Sequence, residues 1–329
     1  MPKLTRTPIH GLEIISGRAN LPLTREIEKI LGVTALDVSI NNFEDGEIRI
    51  MMNDSVRDKD VFIIQPTCPP VNDNLMELCA LIDTVSRASA REITVVLPYF
   101  GYGRQDRKKH GREPIMAALA ADFICKAGNV KRIVTLDLHN ASIQGMFPVK
   151  ICDHFRATEP LTQWIRANWL HDGDAVIVSP DIGGVARASA FAHTLDLATA
   201  IIDKRRSKSG AANARTLIGS VKGKTAILVD DMIDTAGTIT KGAQLLMEKG
   251  ASRVFVAATT GLFSGPAIER IEASPIIQIA VTNAVPIPVS KMIPKITVVS
   301  IADLLADAIK RIFLGESLSE KIGWLNGDE

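Results

Sequence analysis

The sequence predicts an α/β fold with mainly parallel sheets, because apolar runs of strand length alternate with longer segments of helical period. The apolar runs are almost unbroken Val, Ile and Leu, which is typical of parallel strands that are buried on both faces. The predicted strands, in chain order, are Val61–Gln65, Ile93–Pro98, Ile133–Asp137, Ala175–Ser179, Thr225–Val229 and Val254–Ala258. Between them, apolar residues three or four positions apart predict helices over Asn74–Ala88, Pro114–Ala127, Ile182–Leu197 and Thr238–Gly250.

Two pairs of strands indicate two domains of similar plan. In each pair a strand that ends near proline is followed by a strand that ends in aspartate, with a helix between them. The chain of 329 residues also has the length of two ordinary domains. We therefore predict tandem domains over residues 1–155 and 156–329; the alternative is chance similarity between two α/β segments.

Composition excludes several classes of protein. Hydrophobic residues make up 46% of the chain and charged residues 23%, so a disordered chain is excluded. The 38 basic residues balance 37 acidic ones, so no global charge favours nucleic acid or an anionic membrane as partner. The four cysteines contain no C-x-x-C pair, and no apolar run reaches membrane-spanning length. We expect a cytoplasmic protein without a nucleic-acid or membrane partner.

One segment joins a buried strand to two carboxylates and a turn of small residues. Asp230 and Asp231 follow the strand, and the sequence Asp-Thr-Ala-Gly-Thr over 234–238 leads into a helix. The first turn of a helix presents unpaired N–H groups and a positive dipole end, which together can hold a phosphate. The two acids could accept hydrogen bonds from sugar hydroxyls. The alternative is an ordinary helix start with Thr238 as its N-cap.

This segment resembles the phosphoribosyl-pyrophosphate signature of type I phosphoribosyltransferase folds. In that signature the acids hold the ribose 2′ and 3′ hydroxyls, and the turn holds the 5′-phosphate. Further motifs, in the same order from about residue 10 to 318, resemble those of ribose-phosphate pyrophosphokinases. These motifs are Asn42–Glu47, Asn74–Leu78, Tyr102–Lys108, Asp137–His139 with Gln144–Gly145, Ser179–Gly184, Asp203–Arg206 and Phe263–Ala267.

The resemblance implies two tandem type I phosphoribosyltransferase-like domains and a Mg²⁺-dependent reaction. The diphosphoryl group of ATP passes to the 1-hydroxyl of ribose 5-phosphate, which gives 5-phosphoribosyl 1-diphosphate and AMP for nucleotide, histidine and tryptophan biosynthesis. The N-terminal domain would supply the nucleotide contacts and a subunit interface. The C-terminal domain would supply the ribose 5-phosphate site and a catalytic loop.

The same resemblance assigns roles to individual residues. The implied catalytic residues are Lys204 and Arg206, and the implied metal contacts are His139 and Asp181. The implied ATP contacts are Phe43, Asp45, Glu47, Arg104, Gln105, Asp106 and His139. The implied ribose 5-phosphate contacts are Arg206, Asp230, Asp231, Asp234, Thr235, Ala236, Gly237 and Thr238.

Two segments carry further expectations. Asp45 and Glu47 would reach the nucleotide of a neighbouring subunit, with Phe43 stacking on adenine, so the resemblance implies a homo-oligomer, a hexamer in the common class. The alternative for these residues is a β-turn at Asp45-Gly46, which is compatible with such contacts. Lys204 and Arg206 would lie on a mobile loop, and the small and polar residues of Ser207–Arg215 suit a loop that opens and closes.

Two competing functions explain less of the sequence. A non-catalytic regulatory protein of the same fold should lack catalytic residues, yet Lys204, Arg206 and His139 are present. A phosphoribosyltransferase that consumes the activated sugar leaves the motifs of the first half unexplained. The C-terminal sequence after Ser319 departs from the usual short aromatic ending, so we predict neither phosphate activation nor ADP inhibition.

Overall fold

The computed structural model describes residues 11–170, 174–205 and 214–319, apart from the side chains of residues 204, 205, 214 and 215. The chain divides into two compact units. The first unit contains the chain up to Arg156, Ala284–Pro286 and the chain from Ile301, and the second contains Ala157–Asn283 and Ile287–Ser300. The residues from Ile301 onward therefore belong with the N-terminal half, whereas the predicted range 156–329 assigns them to the C-terminal domain.

The described residues form fourteen strands and eight α-helices. The strands are β1 (Glu13–Ser16), β2 (Val38–Asn42), β3 (Ile48–Met52), β4 (Asp60–Ile64), β5 (Glu92–Leu97), β6 (Val130–Leu136), β7 (Ile151–Phe155), β8 (Ala175–Ser179), β9 (Ala198–Arg205), β10 (Ala214–Ile218), β11 (Thr225–Ile233), β12 (Arg253–Gly261), β13 (Gln278–Thr282) and β14 (Ile296–Val299). The helices are α1 (Leu21–Leu31), α2 (Val71–Arg87), α3 (Met116–Lys126), α4 (Thr158–Asn168), α5 (Val185–Leu195), α6 (Gly237–Glu248), α7 (Ala267–Glu272) and α8 (Ala302–Leu314).

The first unit is built on a parallel sheet of five strands in the order β1-β4-β5-β6-β7. Its buried core joins aliphatic side chains of the sheet, such as Ile63 and Val95, to those of α2 and α3, such as Leu78 and Ile124. The antiparallel pair β2-β3 forms a separate hairpin that packs against α2. Burial of the central strands on both faces explains their unbroken apolar sequences.

Helix α8 completes this unit from the far end of the chain, because it packs against α1. Apolar residues of both helices are fully buried, among them Leu23 and Ile27 of α1 and Leu305 and Ile309 of α8. The strong amphipathic pattern of α8 accounts for its position, because a helix with one apolar face needs a complementary apolar face.

The second unit has a seven-stranded sheet in the order β10-β9-β8-β11-β12-β13-β14. All its neighbouring strands are parallel except β9 and β10. Strand β8 has the predicted bounds. Strands β11 and β12 run past their predicted ends, because they stay paired from Asp230 opposite Ala258 to Ile233 opposite Gly261. The predicted α/β fold class, with mainly parallel sheets flanked by helices, is confirmed.

The predicted helix over Ile182–Leu197 is divided in two. Ile182–Gly184 forms a 3₁₀ turn, and α5 begins at Val185. The cause is local, because Oδ1 of Asp181 accepts a hydrogen bond from the N–H of Gly184 and holds the chain in the tight turn. Among the described residues, no helix is both long enough and apolar enough to cross a membrane.

All four cysteines are free thiols with limited access to solvent. Burial raises the pKa of the Cys68 and Cys79 thiols to about 11 and that of the Cys125 and Cys152 thiols to about 12. Because the thiolate is the reactive form, these pKa values make all four side chains unreactive at neutral pH.

We therefore expect slow labelling of the folded protein by a thiol-specific disulfide reagent at pH 7. The rate should be at least about 100-fold below that of the chain in denaturant, which exposes four thiols with ordinary pKa values. Absorbance stopped-flow measures both rates. Rapid labelling of even one thiol in the folded protein would contradict the restricted access of solvent to all four thiols.

Candidate functional site

The predicted carboxylate pair lies inside strand β11, at the carboxyl end of the second sheet. The side chains of Asp230 and Asp231 are only 20% and 9% exposed, and the N–H of Asp231 donates to Oδ1 of Asp230 at 2.9 Å. Nη1 of Arg187, from helix α5, lies 3.8 Å from Oδ1 of each carboxylate. Burial, and then the neighbouring charge of Asp231, raise the pKa of Asp230 well above its usual range, while Arg187 opposes the shift.

The turn after the strand reaches the helix without a side-chain cap. Ala236 adopts a left-handed conformation with φ of 59°, and α6 begins at Gly237, so the alternative of Thr238 as N-cap is wrong. Instead the carbonyl of Ala236 accepts hydrogen bonds from both N and Oγ1 of Thr240. Alanine has no side-chain oxygen, so Ala236, whose positive φ is unusual for this residue, cannot cap the start of α6.

Neighbouring segments hold this turn in place. The N–H of Ser264 donates to the carbonyl of Asp234 at 2.9 Å, and Nη1 of Arg270, from α7, donates to the carbonyl of Thr235 at 2.9 Å. A Cβ added to Gly237 would lie 3.4 Å from the same Nη1. The predicted phosphate cradle thus has a cation beside it that the sequence analysis does not assign.

Asp181 lies at the same edge of the second sheet. It follows β8, the parallel neighbour of β11, so both strands present their carboxyl ends at this edge. Its carbonyl accepts from Oγ of Ser179 at 2.6 Å, and its carboxylate caps the 3₁₀ turn. The structure therefore brings Asp181 to the side of the sheet that carries Asp230.

The predicted catalytic residues are only partly described. The backbone of Lys204 belongs to strand β9 and pairs with Arg215 of the antiparallel strand β10. The prediction that Lys204 and Arg215 lie in a loop is therefore wrong for the backbone, because ladder hydrogen bonds between β9 and β10 extend the sheet through both residues. The side chain of Lys204 and the whole of Arg206 lie outside the described part of the structure.

In the first unit, two loops place predicted ATP contacts beside one another. One follows β5 and carries Arg104, Gln105 and Asp106, and the other follows β6 and carries His139. Nδ2 of Asn140 donates to Oδ2 of Asp106 at 3.1 Å, and a Cβ added to Gly103 would lie 3.8 Å from Cβ of His139. Arg104, Gln105 and His139 are all exposed at the surface.

Close backbone packing fixes the first of these loops. The N–H of Gly101 donates to Oγ1 of Thr67 at 2.7 Å, and a Cβ at this position would lie 2.4 Å from the carbonyl oxygen of Thr67. Only glycine fits such a contact, since the opposing atom is backbone and cannot move aside.

A half-buried histidine supports the second loop. Nε2 of His154, on β7, accepts a hydrogen bond from the N–H of Leu138 at 2.9 Å, which leaves the proton of the neutral ring on Nδ1. Leu138 is buried and directly precedes His139. His154 thereby fixes the backbone next to a predicted nucleotide and metal contact, a role that its place within a strand does not reveal in the sequence.

The β2-β3 hairpin contains the remaining predicted ATP contacts. The expected turn is present: Gly46 has φ of 95°, and its N–H donates to the carbonyl of Phe43 at 2.9 Å. Phe43 is 51% exposed, and the guanidinium of Arg49 lies 5.8 Å from its ring centroid. The carboxylate of Asp45 accepts from the N–H of Glu47 at 3.0 Å, and both residues are exposed.

A chain of polar contacts joins this hairpin turn to the core of the first unit. Glu77 of α2, with a side chain only 3% exposed, accepts 2.6 Å hydrogen bonds from the backbone N–H and Nε of Arg18. Arg18 in turn donates to Asn42, and Nδ2 of Asn42 donates to the carbonyl of Gly46. Glu77 belongs to one of the sequence motifs, and the structure explains its presence as a buried anchor.

Comparison with known proteins agrees with the motif order. Residues 12–128 match the N-terminal domain of ribose phosphate pyrophosphokinase, and residues 205–322 match the phosphoribosyl synthetase-associated domain. The ribose-phosphate pyrophosphokinase of Synechococcus elongatus is 49% identical over 312 residues, 94% of this chain and 93% of that protein. This chain belongs to the ribose-phosphate pyrophosphokinase family.

Other members of the family show the same extent of similarity. The ribose-phosphate pyrophosphokinase of Caldanaerobacter subterraneus subsp. tengcongensis is 49% identical over 94% of this chain and 98% of its own length. The crystal structure of phosphoribosylpyrophosphate synthetase from Mycobacterium smegmatis superimposes with a TM-score of 0.87 at 42% identity, covering 93% of this chain and 99% of that one. Both units of the chain are therefore parts of one pyrophosphokinase fold.

The pKa of Asp230 has a consequence for the stability of this pyrophosphokinase. A carboxyl whose pKa is raised by folding costs stability at pH values above its unfolded-state pKa. This cost has its full size above the folded-state pKa and shrinks as the pH falls below that value and the native state takes up the proton. Asp230→Asn should therefore raise the melting temperature of the ligand-free protein at pH 8. The rise should be about 2–4 °C for each kcal/mol that the substitution adds to the free energy of unfolding.

Differential scanning calorimetry from pH 8 to pH 5 measures the effect, which should shrink as the pH falls. Asp174→Asn is a matched control, because the Asp174 side chain is 82% exposed and its replacement should change stability by less than about 0.5 kcal/mol. A lower melting temperature for Asp230→Asn at pH 8 would show that the buried charge is stabilised in the native state.

Proposed function

We propose that this chain transfers the diphosphoryl group of ATP to the 1-hydroxyl of ribose 5-phosphate, giving 5-phosphoribosyl 1-diphosphate and AMP. The observation that carries the proposal is the end of β11, where a carboxylate pair with little exposure leads through a left-handed residue into a helix start without a side-chain cap. Membership of the pyrophosphokinase family supports the same reaction. Such an enzyme is a transferase that supplies nucleotide biosynthesis.

The sugar phosphate would bind along the axis of β11 and α6. Asp230 and Asp231 would accept hydrogen bonds from the 2′ and 3′ hydroxyls, as vicinal hydroxyls suit two adjacent carboxylates. The N–H groups at the start of α6, with the hydroxyls of Thr235 and Thr238, would hold the 5′-phosphate at the positive end of the helix dipole. Asp234, Ala236 and Gly237 would shape the turn around it.

ATP would bind to the first unit through two adjacent loops. One loop carries Arg104, Gln105 and Asp106, and the other carries His139. The exposed guanidinium of Arg104 offers charge and paired donors to phosphate oxygens. Phe43, Asp45 and Glu47 would complete the nucleotide site of a neighbouring subunit, which requires a homo-oligomer. We propose the hexamer of the common class, acting in the cytoplasm.

Mg²⁺ is the proposed cofactor, with His139 and Asp181 as its protein contacts. Among the described residues, no group of three or more His, Cys, Asp or Glu side chains is placed to hold a metal ion. This absence of a protein cage suits Mg²⁺, which keeps several waters and usually binds one or two carboxylates together with substrate phosphates. Asp181 offers the oxygen ligand that Mg²⁺ prefers, and the bound ion would neutralise charge on the nucleotide phosphates.

The transfer itself is a problem of charge and position. The 1-hydroxyl oxygen forms a bond to the β-phosphorus of ATP while the bond from that phosphorus to the bridging oxygen of AMP breaks. Both reactants are anionic, so fixed positive charge near the transferring group lowers the barrier. Lys204 and Arg206 are proposed to supply this charge, and Arg206 also to contact ribose 5-phosphate.

Phosphorus NMR of the purified protein tests the reaction. With ATP, Mg²⁺ and ribose 5-phosphate, the expected products are AMP and a diphosphate on the anomeric carbon, and a parallel sample without the sugar should leave ATP intact. ATP that persists across metal and phosphate concentrations would refute the proposal. A phosphoribosyltransferase would instead react only when 5-phosphoribosyl 1-diphosphate and a nucleophilic base are supplied.

The catalytic role of Lys204 predicts a separation of turnover from binding. Lys204→Ala should lower kcat by about 10³-fold or more while leaving the affinities for both substrates within a few-fold of the parent. Lys222→Ala, in the turn before β11, is the matched control and should keep full turnover. Ordinary turnover with weaker binding would remove Lys204 from the catalytic role.

A further inference from the structure

Arg187 lies beside the carboxylate pair, at the carboxyl ends of the parallel strands in the second sheet. Neither the sequence motifs nor the proposed reaction gives this arginine a role. Its side chain is 19% exposed, and a single atom, Nη1, lies 3.8 Å from both Asp230 and Asp231. It comes from the first turn of α5, which packs against β8 and β11. The 3₁₀ turn capped by Asp181 leads directly into that helix and so determines where the arginine emerges.

We infer that Arg187 is a positioning residue for the sugar, whose guanidinium holds the Asp230 and Asp231 carboxylates together in the arrangement that accepts the two ribose hydroxyls. The inference rests on the proposed role of that carboxylate pair. Two carboxylates with little exposure to solvent repel one another when they lie close together, and these two each have an oxygen 3.8 Å from the same nitrogen of Arg187. A cation that lies at the same distance from both carboxylates offsets this repulsion, and Arg187 reaches that position from the neighbouring helix α5.

The distances indicate how Arg187 acts. At 3.8 Å from each oxygen, Nη1 lies beyond the usual N–H···O range, so it acts on both carboxylates through its charge more than through a direct hydrogen bond. Burial raises the pKa of the Asp230 carboxyl and Arg187 opposes that shift, so the arginine favours the ionised form of Asp230, which accepts hydrogen bonds on both oxygens. A lysine should therefore replace Arg187 in part, whereas a neutral side chain should not.

The test compares substrate affinities of three variants of the full chain. Arg187→Gln should raise the KM and the calorimetric Kd for ribose 5-phosphate by about 10-fold or more, equivalent to about 1.4 kcal/mol, with the KM for ATP changed less than about 2-fold. Arg187→Lys should stay within about 3-fold of the parent. Arg166→Gln is the matched control: this arginine of the same unit donates to the carbonyl of Thr194, on the surface, and its loss should change neither KM.

Three results would overturn the inference. These are unchanged affinity for ribose 5-phosphate in Arg187→Gln, an equal rise in both KM values with a lower melting temperature, and a lysine variant as impaired as the glutamine variant. If Arg187→Gln does not fold, the double variant Arg187→Gln/Asp231→Asn is used instead, because it removes the positive charge of Arg187 and one of the two negative charges beside it. Against the Asp231→Asn background, the additional loss from Arg187→Gln should then be smaller than 10-fold, and a full loss would refute coupling between the residues.

Asp230→Asn separates this inference from the proposed function. It should weaken ribose 5-phosphate binding and leave ATP binding intact. If Asp230→Asn binds the sugar normally, the proposed sugar site fails and Arg187 loses its role with it. If Asp230→Asn loses affinity and Arg187→Gln does not, the sugar site stands and only the role of Arg187 is refuted.

Discussion

The burial of parallel strands on both faces is the constraint on which the rest of this protein depends. A strand with helices above and below it must be apolar along its length, so side chains with chemical function collect where the strands end. Parallel strands end at one edge, and neighbouring strands therefore bring residues distant in sequence together. Asp181 and Asp230 share such an edge in the second unit, as do the loops of Arg104 and His139 in the first.

The sequence predicts the central strands because apolar runs of strand length are typical of strands buried on both faces. It predicts Asp230 because an acidic pair at a strand end is followed by a turn of small residues, a combination that resembles the phosphoribosyl-pyrophosphate signature. The exact end of β11 is not predictable in the same way. Its last four residues include two charged side chains, and they belong to the strand because β12 continues beside them. Pairing between strands that are distant in sequence decides such boundaries, and local patterns do not contain it.

The residues whose roles the sequence does not reveal share one property: each of them acts by holding another residue of the protein in place. Arg187 appears as an ordinary helical arginine until the fold places it 3.8 Å from two carboxylates. His154 lies within a strand, and only the register of β6 and β7 directs its ring to the backbone beside His139. Glu77 is part of a motif, but its partner Arg18 lies 59 positions away. Such roles depend on distances that exist only in the folded chain.

The return of α8 to α1 affects how this chain can be made in the cell. A ribosome releases residues in order, so the first unit must wait for its final helix until the whole second unit has emerged. During that interval the apolar face of α1, including Leu23 and Ile27, lacks the surface that later covers it. The second unit can close its own sheet without this delay. The half of the protein that is synthesised first is thus the half that finishes folding last.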